Sequence, residues 1–462
     1  MTHCSVSRSA LSGVVRCPPS KSYTHRAIFL AALADSGGGR VSNVLRSADT
    51  DATIEACRRL GASITVEADH GNGTEAGTLT VTDTIRKARS PGGAVAGADG
   101  AETTRIDAAN SGTTIRIAAG VAALLDGRVE LTGDSSLRTR PMQPLLDALS
   151  AMGASCSSAD GRPPMRVRGP IRGGAVEIPG NVSSQFVTSL FLCAPKTDSG
   201  MSITITGGMV SRPYLESTIS AMREFGVSVQ TQVPYRMYRI APQRISPPAG
   251  GFAVPSDASS LALLLAASAL NGGNVAVGAQ MGALPQGDEA FIDMLESMGA
   301  SIEITDTAGG ETVRVGIPDG GLRGGRFDLG NHPDLLPPLA IMALGCRGSL
   351  EISNVGHARI KETDRISILA RELPKLGVGV DEREDGLVAD AGAAAPRDGG
   401  GGGAGATHLN PENDHRLFMA LCIAAMRAGG EYVISDPGSV SVSYPGFIGD
   451  MVALGARITD AE

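Results

Sequence analysis

The feature that most constrains the fold is a five-residue phrase that recurs six times, in which a glycine follows an apolar residue. The copies are LGASI at 60, MGASC at 152, FGVSV at 225, MGASI at 298, LGVGV at 376 and LGARI at 454. Each follows an amphipathic stretch, and glycine closes a helix at low cost because it adopts the left-handed conformation. The apolar alternation after each glycine is typical of a strand. The chain is therefore predicted to contain six copies of one helix-to-strand unit.

A second phrase, a polar loop that opens a very apolar helix, also recurs once per unit. The copies are PPSKSYTHRAIFLAALA, NSGTTIRIAAGVAALL, GNVSSQFVTSLFLCA, SDASSLALLLAASAL, NHPDLLPPLAIMALG and NPENDHRLFMALCIAAM. Ser, Thr, Asn and Asp at these starts predict side-chain caps for all six helices. Lys21, Arg26, Arg116 and Arg416 lie within about a turn of such starts. Because a helix N-terminus already favours anions, cations added there predict phosphate or carboxylate sites.

The six units divide naturally into three and three. The Pro- and Gly-rich stretch at 241–257 lies between the third and fourth units and is the predicted hinge. Pro374 lies inside the helix that precedes Gly377 and should bend or break its last turn. The Gly- and Ala-rich stretch at 391–406 is predicted to be a flexible surface loop without chemistry.

Composition narrows the classes of function. The net charge of −8 and the pI of about 5.5 disfavour nucleic acid and anionic membranes as partners. The seven cysteines are scattered without a C-x-x-C pair, which indicates reduced thiols in a cytoplasmic protein and no zinc site. The N-terminus does not have the pattern of a signal peptide, and the apolar run at 261–270 is about half the ~20 residues that a membrane helix requires. We therefore expect no membrane partner and no metal.

The segment GHARIKETDRISI at 356–368 concentrates charge in a chain of which only 19% is charged. Its charged residues are Arg359, Lys361, Glu362, Asp364 and Arg365. Charge alone fits two interpretations. The segment is either a solvated helix start, which is the commoner case, or a site that binds anions and transfers protons.

Seven motifs make the sequence resemble the EPSP synthase family, the 3-phosphoshikimate 1-carboxyvinyltransferases. They are PPSKSYTHRA at 18–27, NSGTTIR at 110–116, SLRTRPM at 136–142, VSSQFVTSL at 182–190, HPDLLP at 332–337, IKETDRI at 360–366 and NDHRLFMA at 413–420. The resemblance implies an α/β fold, a two-domain inside-out α/β barrel of six βαβαββ repeats with three per domain. It also implies domains at 1–15 with 253–462 and at 16–252, since the family's chain begins in the domain of the last three repeats.

The implied reaction transfers the carboxyvinyl group of phosphoenolpyruvate to the 5-hydroxyl of shikimate 3-phosphate and releases phosphate. This is a step of the shikimate pathway of aromatic amino acid biosynthesis. Both substrates carry a phosphate and a carboxylate, so several fixed cations are required to bring them together. No cofactor and no metal are implied, and we expect a monomer whose partners are these two small molecules.

The resemblance also assigns residues to roles. Those implied to hold the phosphate side of phosphoenolpyruvate are Lys21, Arg140 and Gln185, with the backbone at Gly112. Those implied to take its carboxylate are Arg365 and Arg416. Those implied for shikimate 3-phosphate are Ser22 and Arg26 at the ring and its carboxylate, and Ser183, Ser184, Ser211 and Lys361 at the 3-phosphate. Asp334 is assigned to the proton of the 5-hydroxyl and Glu362 to the proton of the methylene carbon.

Several of these residues have a plain structural alternative. Ser183 or Ser184 alone would more often be a helix cap, and Arg416 fits a surface position at a helix start equally well. Asp364 and Arg359 are expected to stabilise the helix start and its loop rather than face substrate.

Two positions depart from the family pattern. Val442 lies where members carry a Lys that binds the phosphate of phosphoenolpyruvate, so that contact is absent or supplied elsewhere. His25 lies where many members carry Asn.

Two rival functions remain open. One is the sister transferase that acts on UDP-N-acetylglucosamine, which lacks KETDR and typically uses a loop Cys that this chain does not have. The other is a non-catalytic repeat scaffold. Phosphate release with either acceptor would separate the three.

Overall fold

The structure, a computed structural model, describes residues 2–35, 37–68, 76–86, 95–96, 102–272, 274–282, 284–307, 310–390, 392 and 406–461. The predicted surface loop at 391–406 lies almost wholly outside these residues.

The chain divides into two compact units, each with its own hydrophobic core. The amino-terminal unit consists of Pro19–Pro255 with Ala283–Pro285. The carboxy-terminal unit consists of Met1–Pro18, Ser256–Gly282 and Gln286–Glu462.

The amino-terminal unit contains helices separated by one to four strands. They are α1 Lys21–Ala32, β3 Gly39–Leu45, α2 Ala48–Arg59, β4 Ser63–Ala68, β5 Ala76–Asp83, β6 Val95–Ala96, β7 Glu102–Asp107, α3 Gly112–Ala122, β8 Arg128–Thr132, α4 Gln143–Ala151, β9 Ser155–Ala159, β10 Arg162–Arg168, β11 Gly174–Pro179, α5 Ser184–Cys193, β12 Met201–Thr206, α6 Arg212–Glu224, β13 Gln230–Val233, β14 Met237–Ile240 and β15 Phe252–Ala253.

The carboxy-terminal unit contains the first two strands of the chain and all helices and strands from the seventh α-helix onward. Its elements are β1 His3–Ser7, β2 Ser12–Arg16, α7 Ala258–Leu270, β16 Asn274–Ala279, α8 Ala290–Ser297, β17 Ser301–Thr307, β18 Gly310–Gly316, β19 Leu322–Asp328, α9 Leu336–Ile341, β20 Cys346–Ser353, α10 Arg365–Glu372, β21 Gly379–Arg383, β22 Gly386–Asp390, β23 Thr407–Leu409, α11 His415–Ala428, β24 Glu431–Ser435, α12 Phe447–Ala453 and β25 Arg457–Ala461.

Among the described residues each unit contains three sheets, so the fold is mixed α/β as the sequence predicts. The orders are β15-β3-β5-β4, β6-β7-β8-β10-β9 and β11-β12-β14-β13 in the amino-terminal unit, and β17-β18-β16-β2, β19-β20-β22-β21 and β23-β24-β1-β25 in the other. Each sheet has one parallel pair among antiparallel ones, as in β11 and β12, where Val176 lies opposite Ile203. In most repeats the first helix makes the crossover that a parallel pair requires.

The first helix of most repeats is buried on every side because its sequence is apolar on every side. In α7, ASSLALLLAASAL, every residue except Ala269 is buried. Side-chain caps begin five of these helices, and the cap residues are Ser20, Ser111, Ser183, Asp257 and Asp414.

The predicted cap of the fifth repeat is wrong. Here the chain enters α9 through a 3-10 turn, Pro333–Leu335, and His332 before it makes no side-chain cap. Because proline at the first position already lacks an N–H, less capping is needed. The side chain of Asp334, inside this turn, contacts cations instead.

The helix-to-strand prediction is confirmed at all six glycines, which have left-handed φ values. They are Gly61 at 108°, Gly153 at 108°, Gly226 at 74°, Gly299 at 98°, Gly377 at 90° and Gly455 at 105°. The effect of Pro374 is also confirmed, since α10 ends at Glu372 and the chain continues as the 3-10 turn Leu373–Leu376.

Within the described ranges, helices are too short or too polar for any of them to span a bilayer. The same residues contain no grouping of three or more His, Cys, Asp or Glu side chains suited to a metal ion.

Candidate active site

The carboxy-terminal unit holds a buried guanidinium among three carboxylates. Arg365, the first residue of α10, has no exposed surface. Its Nη1 lies 2.7 Å from Asp334 Oδ1, its Nη2 lies 2.8 Å from Glu362 Oε2, and its Nε lies 2.8 Å from Asp414 Oδ2. We call these four residues the Arg365 cluster. A charge buried this deeply is tolerated only when it is paired and hydrogen-bonded, as here.

Asp334 is also close to two further cations. Lys361 Nζ lies 3.7 Å from its Oδ1, and Arg416 Nη2 lies 3.4 Å from its Oδ2. Burial alone would raise the pKa of Asp334, but Arg416, Lys361 and Arg365 outweigh it and hold that pKa well below its ordinary value. The carboxylate that the sequence assigns to the substrate hydroxyl is therefore strongly held in its ionised form.

Asp414, which sequence reasoning missed as a site residue, links two elements of this cluster. Its Oδ1 caps α11 by accepting from the backbone N–H of Arg416 at 2.9 Å and of Leu417 at 3.3 Å. Its Oδ2 accepts from Arg365, and also from the hydroxyl of Thr363 at 3.2 Å. One fully buried carboxylate thus starts the helix that carries Arg416 and fixes Arg365.

The arrangement bears on the predicted role of Arg365 toward a substrate carboxylate. Arg365 makes four hydrogen bonds to the carboxylates of Asp334, Glu362 and Asp414. A guanidinium has five N–H donors. A two-pronged contact with a substrate would therefore require Arg365 to exchange at least one of these bonds.

The expected structural role of Asp364 and Arg359 is confirmed. Asp364 caps α10 by accepting from the backbone N–H of Ser367 at 3.1 Å. Arg359 lies 2.8 Å from Asp364 Oδ2 and 2.9 Å from Glu382 Oε1. Of the five charged residues in the segment 356–368, Lys361, Glu362 and Arg365 thus join the site, and Asp364 and Arg359 support it.

Two further positions in this unit concern the site. Val442 ends the 3-10 turn Pro437–Val442 and is half-buried, so it places an apolar group where the family pattern has a cation. Asp288, which carried no signal in the sequence, accepts a hydrogen bond from Ser259. Burial, followed by the charge of Asp334, raises the pKa of Asp288 to about 6.

The amino-terminal unit places two arginines at the start of α3. A Cβ atom added at Gly112 would lie 2.8 Å from Arg140 Nη1 and 2.9 Å from Arg116 Nη1. Gln185 Oε1 would lie 3.6 Å from the same atom. We call these four residues the Gly112 cluster. A side chain at Gly112 would displace a guanidinium, so glycine is favoured here by close approach rather than by its φ value.

The described hydrogen bonds of the two arginines include bonds to neutral amide oxygens. Arg116 donates to Gln185 Oε1, and its guanidinium carbon lies 5.3 Å from the centre of the Phe186 ring. Arg140 Nη2 donates to Asn110 Oδ1 at 2.9 Å. Arg116 is 8% exposed and Arg140 is 6% exposed. Both cations are thus desolvated at a helix N-terminus, which is a favourable place for an anion.

The predicted residues of α1 make contacts within the unit. Lys21 Nζ lies 2.9 Å from Asp49 Oδ2. Arg26 is buried and donates to Ser22, to Tyr214 O at 2.9 Å and to Thr218 Oγ1 at 2.9 Å. Burial lowers the pKa of Arg26 to about 10, which leaves it charged at neutral pH.

The three serines predicted for the 3-phosphate lie at two other helix starts. Ser183 caps α5 by accepting from the backbone N–H of Gln185 at 3.3 Å, and Ser184 is the first residue of that helix. Ser211 precedes α6 with a left-handed φ of 55° and makes no cap hydrogen bond. A buried serine in this strained conformation is typical of functional positions.

His25 belongs to a buried chain of hydroxyl groups. Its Nδ1 lies 2.6 Å from Thr53 Oγ1, which lies 2.6 Å from Thr114 Oγ1, and Thr114 donates to Ser111 Oγ at 2.7 Å. Burial, with the charges of Lys21 and Arg26, lowers the pKa of His25 well below its ordinary value. A neutral His25 therefore connects α1 to the cap of α3.

Solved structures with the same architecture define a class. An EPSP synthase of Acinetobacter baumannii matches with a TM-score of 0.76 at 24% identity, over 100% of both chains. The enolpyruvyl transferase NikO of Streptomyces tendae matches with a TM-score of 0.72 at 18% identity, over 99% of this chain and 98% of that one. At such identities the likeness establishes the fold, which is that of enolpyruvyl transferases.

The family follows from the sequence comparisons. The family model of EPSP synthase (3-phosphoshikimate 1-carboxyvinyltransferase) matches residues 6–451. A curated 3-phosphoshikimate 1-carboxyvinyltransferase of Nitrosopumilus maritimus is 50% identical over 98% of this chain and 99% of its own length. Another, of Methanothrix thermoacetophila, is 42% identical over 98% of each. The chain belongs to the EPSP synthase family.

Proposed function

We propose that this chain is a 3-phosphoshikimate 1-carboxyvinyltransferase. It transfers the carboxyvinyl group of phosphoenolpyruvate to the 5-hydroxyl of shikimate 3-phosphate and releases inorganic phosphate. The observation that carries the proposal is the family membership, with 50% identity over 98% of the chain to a curated enzyme of that activity. The product serves the shikimate pathway of aromatic amino acid biosynthesis.

The anionic groups of phosphoenolpyruvate bind to cations of the two clusters and to Lys21 and Arg416 outside them. Arg140, Gln185 and Lys21 hold the phosphate of phosphoenolpyruvate against the backbone at Gly112, while Arg416 and Arg365 take its carboxylate. This division is supported by the two guanidinium groups beside Gly112, and by the buried position of Arg416 next to Asp334.

A second set of residues binds shikimate 3-phosphate. Ser22 and Arg26 serve the ring and its carboxylate, and the residues at its 3-phosphate are Ser183, Ser184, Ser211 and Lys361. Two helix starts with hydroxyl groups in the amino-terminal unit suit a phosphate, and so does the half-buried Lys361 of the carboxy-terminal unit.

Two carboxylates move the protons. As the 5-hydroxyl oxygen bonds to the substituted carbon of phosphoenolpyruvate, Asp334 takes the hydroxyl proton and the methylene carbon gains a proton from Glu362. Phosphate then leaves with its bridging oxygen, which takes the proton held by Asp334, and the methyl carbon returns a proton to Glu362. Arg365 contacts both carboxylates, which supports their acting as one unit.

Substrate binding should strengthen Asp334 as a base. Its pKa is held well below its ordinary value by cations that include Lys361 and Arg416, the residues proposed to bind substrate anions. A substrate anion bound to either cation weakens the electrostatic stabilisation of the Asp334 carboxylate. The pKa of Asp334 therefore rises in the complex. The acidic limb of kcat should therefore lie at higher pH than that of kcat/KM, since kcat/KM reports the free enzyme. If the acidic limbs of kcat and kcat/KM lay at the same pH, a rise in the pKa of Asp334 on substrate binding would be contradicted.

The finer architecture belongs to the same proposal. We infer two inside-out α/β barrels with domains at 1–15 with 253–462 and at 16–252, and a monomer that acts without metal or cofactor. The seven cysteines are free thiols, which supports a cytoplasmic location.

Phosphate release tests the reaction directly. The purified chain is supplied with phosphoenolpyruvate and either shikimate 3-phosphate or UDP-N-acetylglucosamine, and inorganic phosphate is measured over time. Release with shikimate 3-phosphate alone is expected. Release with the nucleotide sugar alone would assign the sister reaction, and no release with either would favour a non-catalytic scaffold.

A further inference from the structure

Glu372 is a buried carboxylate that the proposed reaction does not use. It is the last residue of α10, the helix that begins with Arg365, and its side chain is 0% exposed. Its Oε1 lies 2.8 Å from Arg371 Nε, and its Oε2 lies 2.7 Å from Lys375 Nζ. Burying a carboxylate costs free energy of desolvation, and these two ion pairs offset that cost. We therefore ask what the buried position of Glu372 achieves.

A third contact of Glu372 joins α10 to the chain that leads into α11. Its Oε2 accepts from the backbone N–H of Asn410 at 3.1 Å. Lys375 Nζ donates to the carbonyl oxygen of His408 at 3.1 Å. Arg371 Nη2 donates to the carbonyl oxygen of Asn410 at 3.3 Å. One carboxylate and its two cations thus bind the end of α10 to this part of the chain.

The chain at 410–413, which we call the 410–413 segment, has a backbone that needs support. Glu412 and Asn413 have left-handed φ values of 53° and 64°, which are uncommon and strained in residues other than glycine. The Oδ1 atom of Asn410 accepts from the backbone N–H of Glu412 at 2.9 Å. The contact of Glu372 with Asn410 therefore holds the start of a strained turn.

The other end of the 410–413 segment is also bound to α10. Asp414, the next residue, accepts from Arg365 Nε at 2.8 Å and caps α11 through the N–H of Arg416 at 2.9 Å. Arg365 is the first residue of α10 and Glu372 is the last. Residues seven apart lie on one face of a helix, so a single face of α10 holds the segment at both ends.

We propose that Glu372 is a positioning residue of the reaction, which acts by fixing the 410–413 segment; this inference rests on the proposed function. Through that segment it sets the places of Asp414 and Arg416. Arg416 is proposed to take the carboxylate of phosphoenolpyruvate, and Asp414 fixes Arg365 beside the two proton-transferring carboxylates. A displacement of about 1 Å that arises far from the chemistry can cost about 10²-fold in rate.

Glu372→Ala removes the contact with Asn410 and leaves every substrate-binding side chain in place. The KM for phosphoenolpyruvate should rise about 10-fold, because Arg416 loses its fixed position. The dissociation constant of shikimate 3-phosphate, measured by calorimetry, should stay within about twofold of wild type, because its proposed residues lie outside the segment. The matched control is Val315→Ala, a truncation of a buried residue of β18 in the same unit, which should lower stability and change neither constant.

Two conservative variants separate the reach of Glu372 from its charge. Glu372→Gln keeps an acceptor oxygen for the N–H of Asn410, so its KM for phosphoenolpyruvate should stay within about threefold of wild type. Glu372→Asp keeps the charge but is one methylene too short, so its KM should rise about 3- to 10-fold. The aspartate variant also serves as the test if the alanine variant does not fold. An equal KM for the glutamine and alanine variants would show that the contact with Asn410 has no positioning role.

Hydrogen exchange tests the positioning role without turnover. In Glu372→Ala the backbone amides of 410–417 should exchange about 10-fold faster than in wild type, because the turn before α11 opens more often. Val315→Ala should show no such local increase. In an Arg416→Met background, Glu372→Ala should add little to the KM for phosphoenolpyruvate, since its effect passes through Arg416.

Three outcomes would overturn the inference. They are a KM for phosphoenolpyruvate within about twofold of wild type in the folded Glu372→Ala variant, an equal loss for both substrates, or unchanged exchange at 410–417. Failure of the proposed function is a separate result, since the wild type would then release no phosphate from the two substrates. The exchange measurement would still report whether Glu372 fixes the 410–413 segment.

Discussion

The two arginine-rich clusters differ in what surrounds the guanidinium groups. In the Arg365 cluster one arginine contacts three carboxylates, all within 2.8 Å. In the Gly112 cluster two arginines donate to the amide oxygens of Gln185 and Asn110. The same residue type therefore has two uses. An arginine among carboxylates orients those carboxylates, whereas the arginines beside Gly112 are oriented in part by neutral amide groups.

This difference matches the division of labour in the proposed reaction. The carboxylates that transfer protons need fixed directions, and Arg365 supplies them through Nη1 and Nη2. The phosphate that leaves needs a cation that is already desolvated, as Arg140 is. Substitutions in the Arg365 cluster should therefore act on turnover or stability, and those in the Gly112 cluster on the binding of phosphoenolpyruvate.

The largest effect is expected on turnover, from the two carboxylates bound to Arg365. Glu362→Gln and Asp334→Asn keep shape and hydrogen bonding but remove the basic group, so kcat should fall roughly 10²- to 10⁴-fold. Binding of shikimate 3-phosphate should remain within a few-fold of wild type. The control is Lys361→Met, which should instead weaken that binding by about 1.5–3 kcal/mol. Near-normal turnover of Glu362→Gln would return this carboxylate to a purely structural role.

The next effect concerns stability and uses two aspartates that both cap helices. Asp414→Asn retains the cap but leaves buried Arg365 without one of its carboxylates, so the free energy of unfolding should fall by about 3–5 kcal/mol. Asp364→Asn is the matched control, since Asn also caps α10 and the Arg359 pair is partly exposed. It should cost about 1 kcal/mol or less. Equal losses in chemical denaturation would mean that the contact of Asp414 with Arg365 contributes nothing special.

A third prediction concerns another buried carboxylate, whose replacement should stabilise the protein rather than destabilise it. The folded-state pKa of Asp288 is raised to about 6 from its ordinary 3.8, so its stabilising contribution is complete below pH 3.8 and is lost as pH rises through about 6. Asp288→Asn should therefore stabilise the protein by about 3 kcal/mol at pH 8 and by little at pH 4. Thermal unfolding at the two pH values checks this, and destabilisation at pH 8 would contradict it.

The sequence predicted the repeated elements because their signals are local. Glycine after an amphipathic stretch, and Ser or Asp before an apolar one, act through their own backbone neighbours, as at Gly61 and Ser111. The fifth repeat escaped this rule because Pro333 begins a 3-10 turn there.

The site was harder to predict because its key contacts join distant segments. Asp414 was visible as a cap, but its second role depends on an arginine 49 residues away in the chain. The convergence of Arg116 with Arg140 depends on a tertiary approach at Gly112, which no spacing in the sequence shows. The motifs thus indicated which residues matter, and the structure adds which of them contact one another.

The smallest expected effect tests whether the carboxy-terminal unit can also offer a cation to the phosphate. Val442→Lys restores the residue of the family pattern at a half-buried position at the end of a 3-10 turn. A partly solvated cation contributes little, so the KM for phosphoenolpyruvate should fall about 2- to 5-fold while the constant for shikimate 3-phosphate stays nearly unchanged. The control is Val442→Met, which adds length without charge and should not lower the KM. A change confined to shikimate 3-phosphate would show that Val442 does not correspond to the family's lysine. An unchanged KM for both would mean that Arg140 and Lys21 already bind the phosphate without help from this turn.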